Sequence, residues 1–361
     1  MRDPLSSVTR EETRSIGLAL HSGSSRSLDA VMRPKSDFAD KEHQDHPLVS
    51  VIIPTYNRAW ALKTTVASVF AQTYRPLECL VVDDGSTDET QEVVRVLSDE
   101  CPSEIALRYF KQDNGGANSA RNRGLAECTG DFICYLDSDD LLTPDSIGER
   151  AQVLIKDADL DFCYGLTSIR NKNGDETGRM NTRWPGPDEP RIAPYLFNTI
   201  SPLMRRSACV RTGLWREDDT HGQESEYFAR LKYFSNKAAF IDKTLSIYIR
   251  HGKGSLFDPT SLPWFLATFR ALLAIKALIV YGRHDNQAER RHLAIAFRVL
   301  GKQLLRLRDY PHARAALEES LILKWTPKAL AGWLIATPLA IPASCRKRAK
   351  SGSTGAAQRC R

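Results

Sequence analysis

The chain has 361 residues, 42% of them hydrophobic and 26% charged, with a formal net charge of +6 at pH 7. This is the composition of a globular protein with a large core, in one large or two smaller domains, and so modest a charge gives no reason to expect a nucleic-acid partner. The eight cysteines include no CxxC pair and have no regular spacing, which argues against a zinc site or a disulfide framework and favours a reducing cytoplasm.

The first 46 residues are polar and lack the apolar core of a signal peptide, so we expect them to form a disordered tail. From Leu48 the pattern changes to short apolar runs separated by amphipathic stretches. Strands are predicted at four of these runs, LVSVIIPTYN, LECLVVDDG, IALRYFKQ and DFICYLD. All but IALRYFKQ are expected to be buried.

Helices are predicted between these strands. Ser86 and Glu89 match a capping box, which predicts that the second helix opens there. Thr143, followed by Pro144, predicts the start of the fourth helix, after the last of the four strands. Repeated alternation of strand and helix predicts an α/β fold with a mostly parallel sheet and helices on both faces.

The second half is less regular. The stretch TRWPGPDEPRIAP is rich in proline and glycine and is predicted to be a flexible loop, whereas AAFIDKTLSIYIRH has the pattern of a strand. Beyond about Leu262 the pattern is helical, and Leu300, Gly301, Tyr310 and Ala313 resemble one tetratricopeptide-like helical hairpin. One such repeat cannot bury its own face, so we expect it to pack on the body of the protein or on a partner.

Polar residues follow three of the predicted strands: Thr55, Tyr56 and Asn57 after the first, Asp83 and Asp84 after the second, and Asp137, Asp139 and Asp140 after the fourth. Sheets of this kind bind ligands at the carboxyl ends of their strands, so we expect one polar crevice there. Three carboxylates within four residues repel one another unless a cation is close, and closely spaced aspartates suit Mg²⁺ or Mn²⁺.

Four stretches resemble, in order and spacing, the family 2 glycosyltransferases of the GT-A fold. They are VIIPTYNRAWALKTTVASVFAQTY, LECLVVDDGSTDET, QDNGGANSARNRGLAECTGDFICYLDSDD and GQESEYFARL, and the resemblance runs from about Leu48 to His251. It implies a GT-A fold and an inverting, metal-dependent transfer of a sugar from a nucleotide-diphosphate sugar, UDP-linked, to an acceptor hydroxyl. The implied setting is the synthesis of a bacterial cell-surface polysaccharide or lipid-linked glycan.

The resemblance also implies which residues meet the nucleotide sugar. Thr55, Tyr56 and Asp83 would surround the base, with Asp83 accepting a hydrogen bond from a ring nitrogen. Asn57 and Asp84, beside them in the same motifs, would belong to the same site.

The remaining implied roles concern the ribose, the diphosphate and the metal. Arg121 would lie near the nucleotide and Asp137 near the ribose, while Asp139 would bind the metal that bridges the diphosphate. His251 falls where many relatives have a histidine close to the pyrophosphate or metal, and Asp137 is a further candidate ligand. The expected cofactor is Mg²⁺ or Mn²⁺.

The family's acceptor motif commonly has an aspartate as general base, and this chain has Glu224 there. We expect Glu224 to be the base and the dipole of the helix that begins there to keep it ionised. Glu226 stands four residues before Arg230, which predicts an ordinary surface ion pair rather than a catalytic role.

The predicted domains are a GT-A domain at 47–258, with a nucleotide-sugar half at 47–145 and an acceptor half at 146–258, a helical region at 259–345 and a basic tail at 346–361. The identity of the sugar and of the acceptor is expected to depend on the loop around residues 184–194. Oligomeric state has no signal in the sequence.

The C-terminal sequence suggests contact with a membrane. The apolar stretch from Ala329 to Ser344 is shorter than a membrane span and is interrupted by Pro338 and Pro342, and a basic cluster follows it. We expect a cytoplasmic enzyme held peripherally on the inner face of the plasma membrane, with a helix packed in the core and a solvated tail as the alternative.

Two other functions share parts of this pattern. A nucleotidyltransferase has a similar sheet and similar metal-binding aspartates, but it would need a basic, glycine-rich loop near the first strand, and PTYNRAW is not one. A catalytically inactive relative acting as a binding module remains an alternative because Glu224 departs from the family's usual aspartate.

Overall fold

The computed structural model describes residues 46–181, 198–217, 223–235, 237–251, 261–281 and 287–337. The chain divides into two compact units, one ending at Leu293 and the other beginning at Ala294. The N-terminal tail up to residue 45, the predicted flexible loop and the basic tail lie outside the described residues.

The first half of the chain alternates strands and helices as predicted. Its elements are β1 (Val49–Thr55), α1 (Ala59–Phe70), β2 (Leu77–Asp83), α2 (Thr90–Asp99), β3 (Ile105–Lys111), α3 (Ala117–Glu127) and β4 (Phe132–Tyr135). Strand β1 pairs in parallel with β2 and with β4, and β2 pairs in parallel with β3. The predicted parallel sheet is therefore confirmed for this half.

The second half makes the sheet mixed. Its elements are β5 (Leu141–Leu142), α4 (Ser146–Lys156), β6 (Phe162–Asn171), β7 (Glu176–Met180), β8 (Leu203–Arg205), α5 (Arg206–Thr212), α6 (Gln223–Phe234) and β9 (Ala238–Arg250). Strand β8 is antiparallel to both β4 and β6, whereas β6 and β9 are parallel. Within the described ranges the strand order is β3-β2-β1-β4-β8-β6-β9-β5, and β7 pairs with β6.

Helices cover both faces of the sheet. Successive side chains of a strand point to opposite sides, so one strand contributes to the core on each face. Val51 and Ile53 of β1 pack in one apolar cluster with α1, α2 and α4, whereas Ile52 packs on the other face with α3, α5 and α6. Helix α3 approaches β1 closely at Gly124, where a Cβ atom would lie 2.3 Å from Cγ2 of Ile52. A larger residue at Gly124 would push α3, and with it Arg121, away from β1.

Two helix starts differ from the prediction. Helix α2 begins at Thr90, and the predicted capping box is wrong because the Ser86 hydroxyl is used in the turn after β1. The Asp88 carboxylate instead accepts a hydrogen bond from the Thr90 amide, over 3.1 Å. Helix α4 begins at Ser146 and not beside Thr143.

The helices of the C-terminal region are α7 (Leu262–Tyr281), α8 (Gln287–Arg306), α9 (Tyr310–Leu323) and α10 (Pro327–Ala336). Helices α8 and α9 pack closely as a hairpin: a Cβ atom at Gly301 would lie 2.6 Å from Cγ of Leu317, and the Ser320 hydroxyl donates to the Ala294 carbonyl over 2.7 Å. Among the described helices, none combines the length and the apolar character needed to cross a membrane.

Candidate active site

The polar residues that follow β1, β2 and β4 lie at one edge of the sheet. Thr55 is paired with Asp83, and the Asp84 amide donates to the Thr55 carbonyl over 2.8 Å. On the other side of β1, the Leu136 amide donates to the Ile52 carbonyl over 2.9 Å, which brings the following turn, residues 137–140, to the same edge. The structure therefore brings these polar residues together at the edge of the sheet where the sequence places them.

The two aspartates after β2 are buried and already hydrogen-bonded within the protein. Asp83 accepts from the Ser86 amide at 2.8 Å and from the Tyr109 hydroxyl at 2.5 Å. Asp84 accepts from the amide of Gly116 at 2.7 Å and from that of the preceding glycine at 2.9 Å. These contacts fix the turns that border the crevice, and a contact between Asp83 and a nucleotide base stays a prediction.

The three polar residues at the end of β1, Thr55, Tyr56 and Asn57, differ in their exposure. The Thr55 hydroxyl is buried and has no hydrogen-bond partner within the described part of the chain. Tyr56 is 47% exposed, and Asn57 adopts φ +50° while its side-chain oxygen accepts from the Thr87 amide over 2.8 Å. Tyr56 is thus open to a ligand, whereas Asn57 shapes the turn.

Asp139 and His251, two of the residues predicted to bind a metal, lie next to each other. Oδ2 of Asp139 is 4.0 Å from Nε2 of His251, and both side chains are partly exposed. The guanidinium Nε of Arg58 is 3.6 Å from the same carboxylate oxygen. The Trp60 ring packs edge-on against the His251 ring, with centroids 4.6 Å apart.

The turn at residues 137–140 is short of positive charge, as its sequence indicates. Burial, and then the charge of Asp137, raise the pKa of Asp139 above its usual value, although Arg58 and His251 pull it down. Burial, followed by repulsion from the carboxylates of Asp137 and Asp139, raises the pKa of Asp140 well above its usual value. A divalent cation at Asp139 would favour the ionised carboxylate, so the electrostatics fit a metal here.

Two side chains, rather than a complete cage, are available to such a metal. Among the described residues, no group of three or more His, Cys, Asp or Glu side chains is arranged to hold an ion. Asp139 and His251 fit a Mg²⁺ or Mn²⁺ that takes its other ligands from water and phosphate oxygens, as these ions commonly do. Asp137, the other predicted ligand, accepts a hydrogen bond from Arg121 instead.

Arg121 of α3 connects the acidic turn to helix α6. Its Nη2 donates to Oδ1 of Asp137, and its Nη1 donates to the side-chain oxygen of Gln223, each over 2.8 Å. Gln223 is the first residue of α6, and Glu224 is the second. If Arg121 lies near the nucleotide, as predicted, these two hydrogen bonds lie beside the donor sugar nucleotide.

Glu224 retains some solvent contact but is closely surrounded by protein. Burial raises the pKa of its carboxyl group above the usual value, although the nearby charge of Arg121 lowers it. Burial thus outweighs the interactions that lower this pKa, and the expectation that the helix dipole keeps Glu224 ionised stays a prediction. A carboxylate with a raised pKa is a stronger base once it is ionised.

Glu226 and Arg230 form the predicted ion pair, but the prediction of a surface position is wrong. They are 2% and 3% exposed, and Nε and Nη2 of Arg230 donate to the two carboxylate oxygens over 2.6 and 2.8 Å. The same guanidinium donates to the carbonyls of Thr212 and Leu214 over 2.6 and 2.8 Å. Glu226 therefore ties α6 to the end of α5, and its role is structural.

Sequence reasoning gave no role to Arg58, Trp60 or Asp140. The first two follow the β1 motif directly, in PTYNRAW, and an arginine beside a predicted diphosphate site is a signal that could have been used. The surroundings of Asp140 depend on β9, more than 100 residues later in the chain, so no local pattern could have indicated them.

Residues 50–217 match the family model described as Glycosyl transferase family 2. This segment belongs to that family. The chain is 31% identical over 218 residues to an uncharacterized glycosyltransferase of Rickettsia felis, a match that covers 58% of this chain and 34% of the relative. It is 36% identical over 142 residues to a chondroitin synthase of Escherichia coli, a match that covers 38% of this chain and 20% of that relative. The match thus spans about a third, or less, of the length of these relatives.

Solved structures confirm the GT-A fold of the chain. A mannosyltransferase from Pyrobaculum calidifontis, in complex with GDP-Man and Mn²⁺, superposes with a TM-score of 0.53 at 19% identity, over 93% of this chain and 94% of that one. S. aureus TarS 1–349, in complex with UDP-GlcNAc, superposes with a TM-score of 0.52 at 18% identity, over 80% of this chain and 79% of that one.

Two of the predicted site residues, Glu224 and His251, lie beyond the segment that matches the family model, residues 50–217.

Proposed function

We propose that this protein is a metal-dependent, inverting glycosyltransferase that uses a nucleotide-diphosphate sugar, UDP-linked, and an acceptor hydroxyl on a glycan or lipid-linked glycan. The observation that carries the proposal is the crevice in which Arg121 connects the acidic turn next to Asp139 with the helix that bears Glu224. The neighbours solved with UDP-GlcNAc and with GDP-Man and Mn²⁺ support a nucleotide-sugar donor and a divalent ion. The chondroitin synthase relative supports a role in polysaccharide synthesis.

On the donor side, Asp139 and His251 are the residues that would hold the metal. When bound, the metal would stabilise the negative charge that develops on the nucleoside diphosphate as the bond to the sugar breaks. Arg58, 3.6 Å from Asp139, is placed to donate to phosphate oxygens. Asp137 remains paired with Arg121 beside the ribose, and Tyr56 offers an exposed ring to the base.

On the acceptor side, Glu224 is the proposed base. Its ionised carboxylate takes the proton of the acceptor hydroxyl, and the oxygen attacks the anomeric carbon from the face opposite the diphosphate, which inverts that carbon. One acid–base carboxylate is sufficient, because the diphosphate leaves as an anion and does not need a proton.

Release of nucleoside diphosphate from a panel of UDP- and GDP-sugars, with Mn²⁺ or with a chelator, tests the proposal. Metal-dependent release from UDP-sugars is the expected result, and release from GDP-sugars alone would overturn the choice of nucleotide. Release of inorganic pyrophosphate would indicate a nucleotidyltransferase. Absence of both turnover and Mn²⁺-dependent nucleotide binding across the panel would favour an inactive binding protein.

A peripheral position on the inner face of the plasma membrane is the second part of the proposal. Leu334 and Ile335, near the end of α10, are 57% and 68% exposed. The sequence continues with TPLAIPAS and the basic residues Arg346, Lys347 and Arg348, beyond the described ranges. Apolar insertion together with attraction to anionic lipid would give a reversible attachment.

A further inference from the structure

The Asp140 carboxylate is buried between two elements that are distant in sequence. Asp140 is 2% exposed, and its Oδ1 accepts a hydrogen bond from the Ile249 amide of β9 over 3.0 Å. Its own amide donates to the Asp137 carbonyl over 3.1 Å, which closes the acidic turn. The same region has two other contacts with β9 and the residue after it: Nε2 of His251 lies 3.3 Å from the Asp139 carbonyl oxygen, and β5 pairs with Ser246 and Ile247. The Asp140 carboxylate is thus one of several contacts between the turn and the end of β9.

The opposite side of the turn is already fixed by α1. The Thr65 hydroxyl donates to the Ser138 carbonyl over 2.9 Å, and the Ser68 hydroxyl accepts from the Leu142 amide over 3.2 Å. These contacts hold the backbone of the turn without reaching β9. The position of Asp139 is therefore set largely by α1, whereas that of His251 depends on where β9 ends.

Ile249 is two residues before His251, so the hydrogen bond from its amide lies close to the point where the imidazole leaves the strand. Strand β6 holds the same segment of β9 from its other edge, through the parallel pairing of Ile169 with Tyr248 and of Arg170 with Ile249. On the side of the acidic turn, β5 pairs antiparallel with Ser246 and Ile247, and the Asp140 carboxylate adds a contact further along β9, at the Ile249 amide.

We propose that Asp140 is a positioning residue, which holds the end of β9 so that Nε2 of His251 faces the Asp139 carboxylate across 4.0 Å. The inference rests on the proposed metal site, since Asp139 and His251 are its two protein ligands. Residues that orient metal ligands from outside the coordination shell commonly change metal affinity when they are altered.

Titration of Mn²⁺ in the presence of UDP, followed by the loss of the free Mn²⁺ electron paramagnetic resonance signal, tests this role in the full chain. Asp140→Ala should weaken Mn²⁺ binding by about 10- to 100-fold. Asp140→Asn should restore most of the affinity, because the amide oxygen can still accept from Ile249. In a His251→Ala background, Asp140→Ala should have little further effect, because the residue acts through His251.

Glu78→Gln is the control for a general loss of stability. Glu78 is buried near the start of β2, at the end of the strand away from the acidic turn, so its replacement should leave Mn²⁺ affinity unchanged. Wild-type Mn²⁺ affinity in Asp140→Ala would overturn the positioning role while leaving the metal site intact. Equal losses in Asp140→Asn and Asp140→Ala, or a full additional loss in the His251→Ala background, would also overturn it. A wild-type chain that does not bind Mn²⁺ with UDP would overturn the metal site and this inference together.

Discussion

Replacing Glu224 by Gln should reduce turnover and leave the fold at least as stable. Gln has nearly the same size and cannot accept the acceptor's proton, so kcat should fall by about a hundred- to ten-thousand-fold with donor affinity almost unchanged. Because burial raises the pKa of Glu224 in the folded protein, the protonated form favours folding and the ionised form opposes it. The stability that the protonated group contributes is complete below the ordinary glutamate pKa and is lost as pH rises through the raised value.

Glu224→Gln should therefore unfold at a higher urea concentration than the wild type at pH 7, and this advantage should disappear near pH 4. The matched control is Glu226→Gln, two residues along the same helix. It breaks a buried ion pair whose partner, Arg230, is 3% exposed, and the loss of one member of such a pair costs roughly 3 kcal/mol or more. Turnover per folded molecule of Glu226→Gln should stay close to the wild-type value.

The assays are release of UDP under saturating donor, isothermal titration of UDP, and urea unfolding at pH 7 and pH 4. In the wild type, the acidic limb of the kcat profile should lie above the ordinary glutamate pKa, because the base must be ionised to act. Wild-type turnover in Glu224→Gln would refute the assignment. A clear loss of stability in Glu224→Gln at pH 7 would refute the argument that burial opposes its ionised form.

Three further changes test other parts of the molecule. Asp139→Asn should abolish the Mn²⁺ dependence of UDP binding in isothermal titration while the thermal midpoint stays near that of the wild type; unchanged metal dependence would exclude Asp139 as a ligand. Glu78→Gln should lower the free energy of unfolding at pH 7 by about 1–3 kcal/mol, because the carboxylate accepts from Ser50, Thr129 and Arg108. Although burial raises the pKa of Glu78, these hydrogen bonds lower it overall, so the difference should fade as pH falls through that lowered value; a difference that persists in acid would contradict this. Leu334→Ser combined with Ile335→Ser should reduce flotation with anionic liposomes, and equal flotation would place the attachment elsewhere.

The features that depend on local pattern were predictable from the sequence. Continuous apolar runs are typical of strands buried on both faces of a sheet, which made β1, β2 and β4 predictable. Alternation with helices favours parallel pairing, which also placed β3 in the sheet. Parallel strands end at the same edge, so the acidic turns at Asp83 and Asp137 could be placed in one crevice from the strand pattern alone.

Helix starts were less predictable, because a side chain that can cap a helix can equally bond a nearer turn. Ser86 contacts the backbone of the turn after β1, and Asp88 takes its place at the start of α2. The second half of the sheet was also beyond local pattern, since short antiparallel strands such as β8 are set by their neighbours and not by their own sequence.

The environment of each charged group could be read only from the folded chain. The Glu226–Arg230 spacing is that of a surface helix pair, but α5 and the core of α6 bury it. Glu224 stands where the helix dipole favours ionisation, yet burial in the folded chain raises its pKa. Gln223, which accepts a hydrogen bond from Arg121, is 102 residues away in sequence, and Ile249, which donates one to Asp140, is 109 residues away. Solvation and long-range contacts depend on how the chain folds back on itself, and the energy of a charge depends on both.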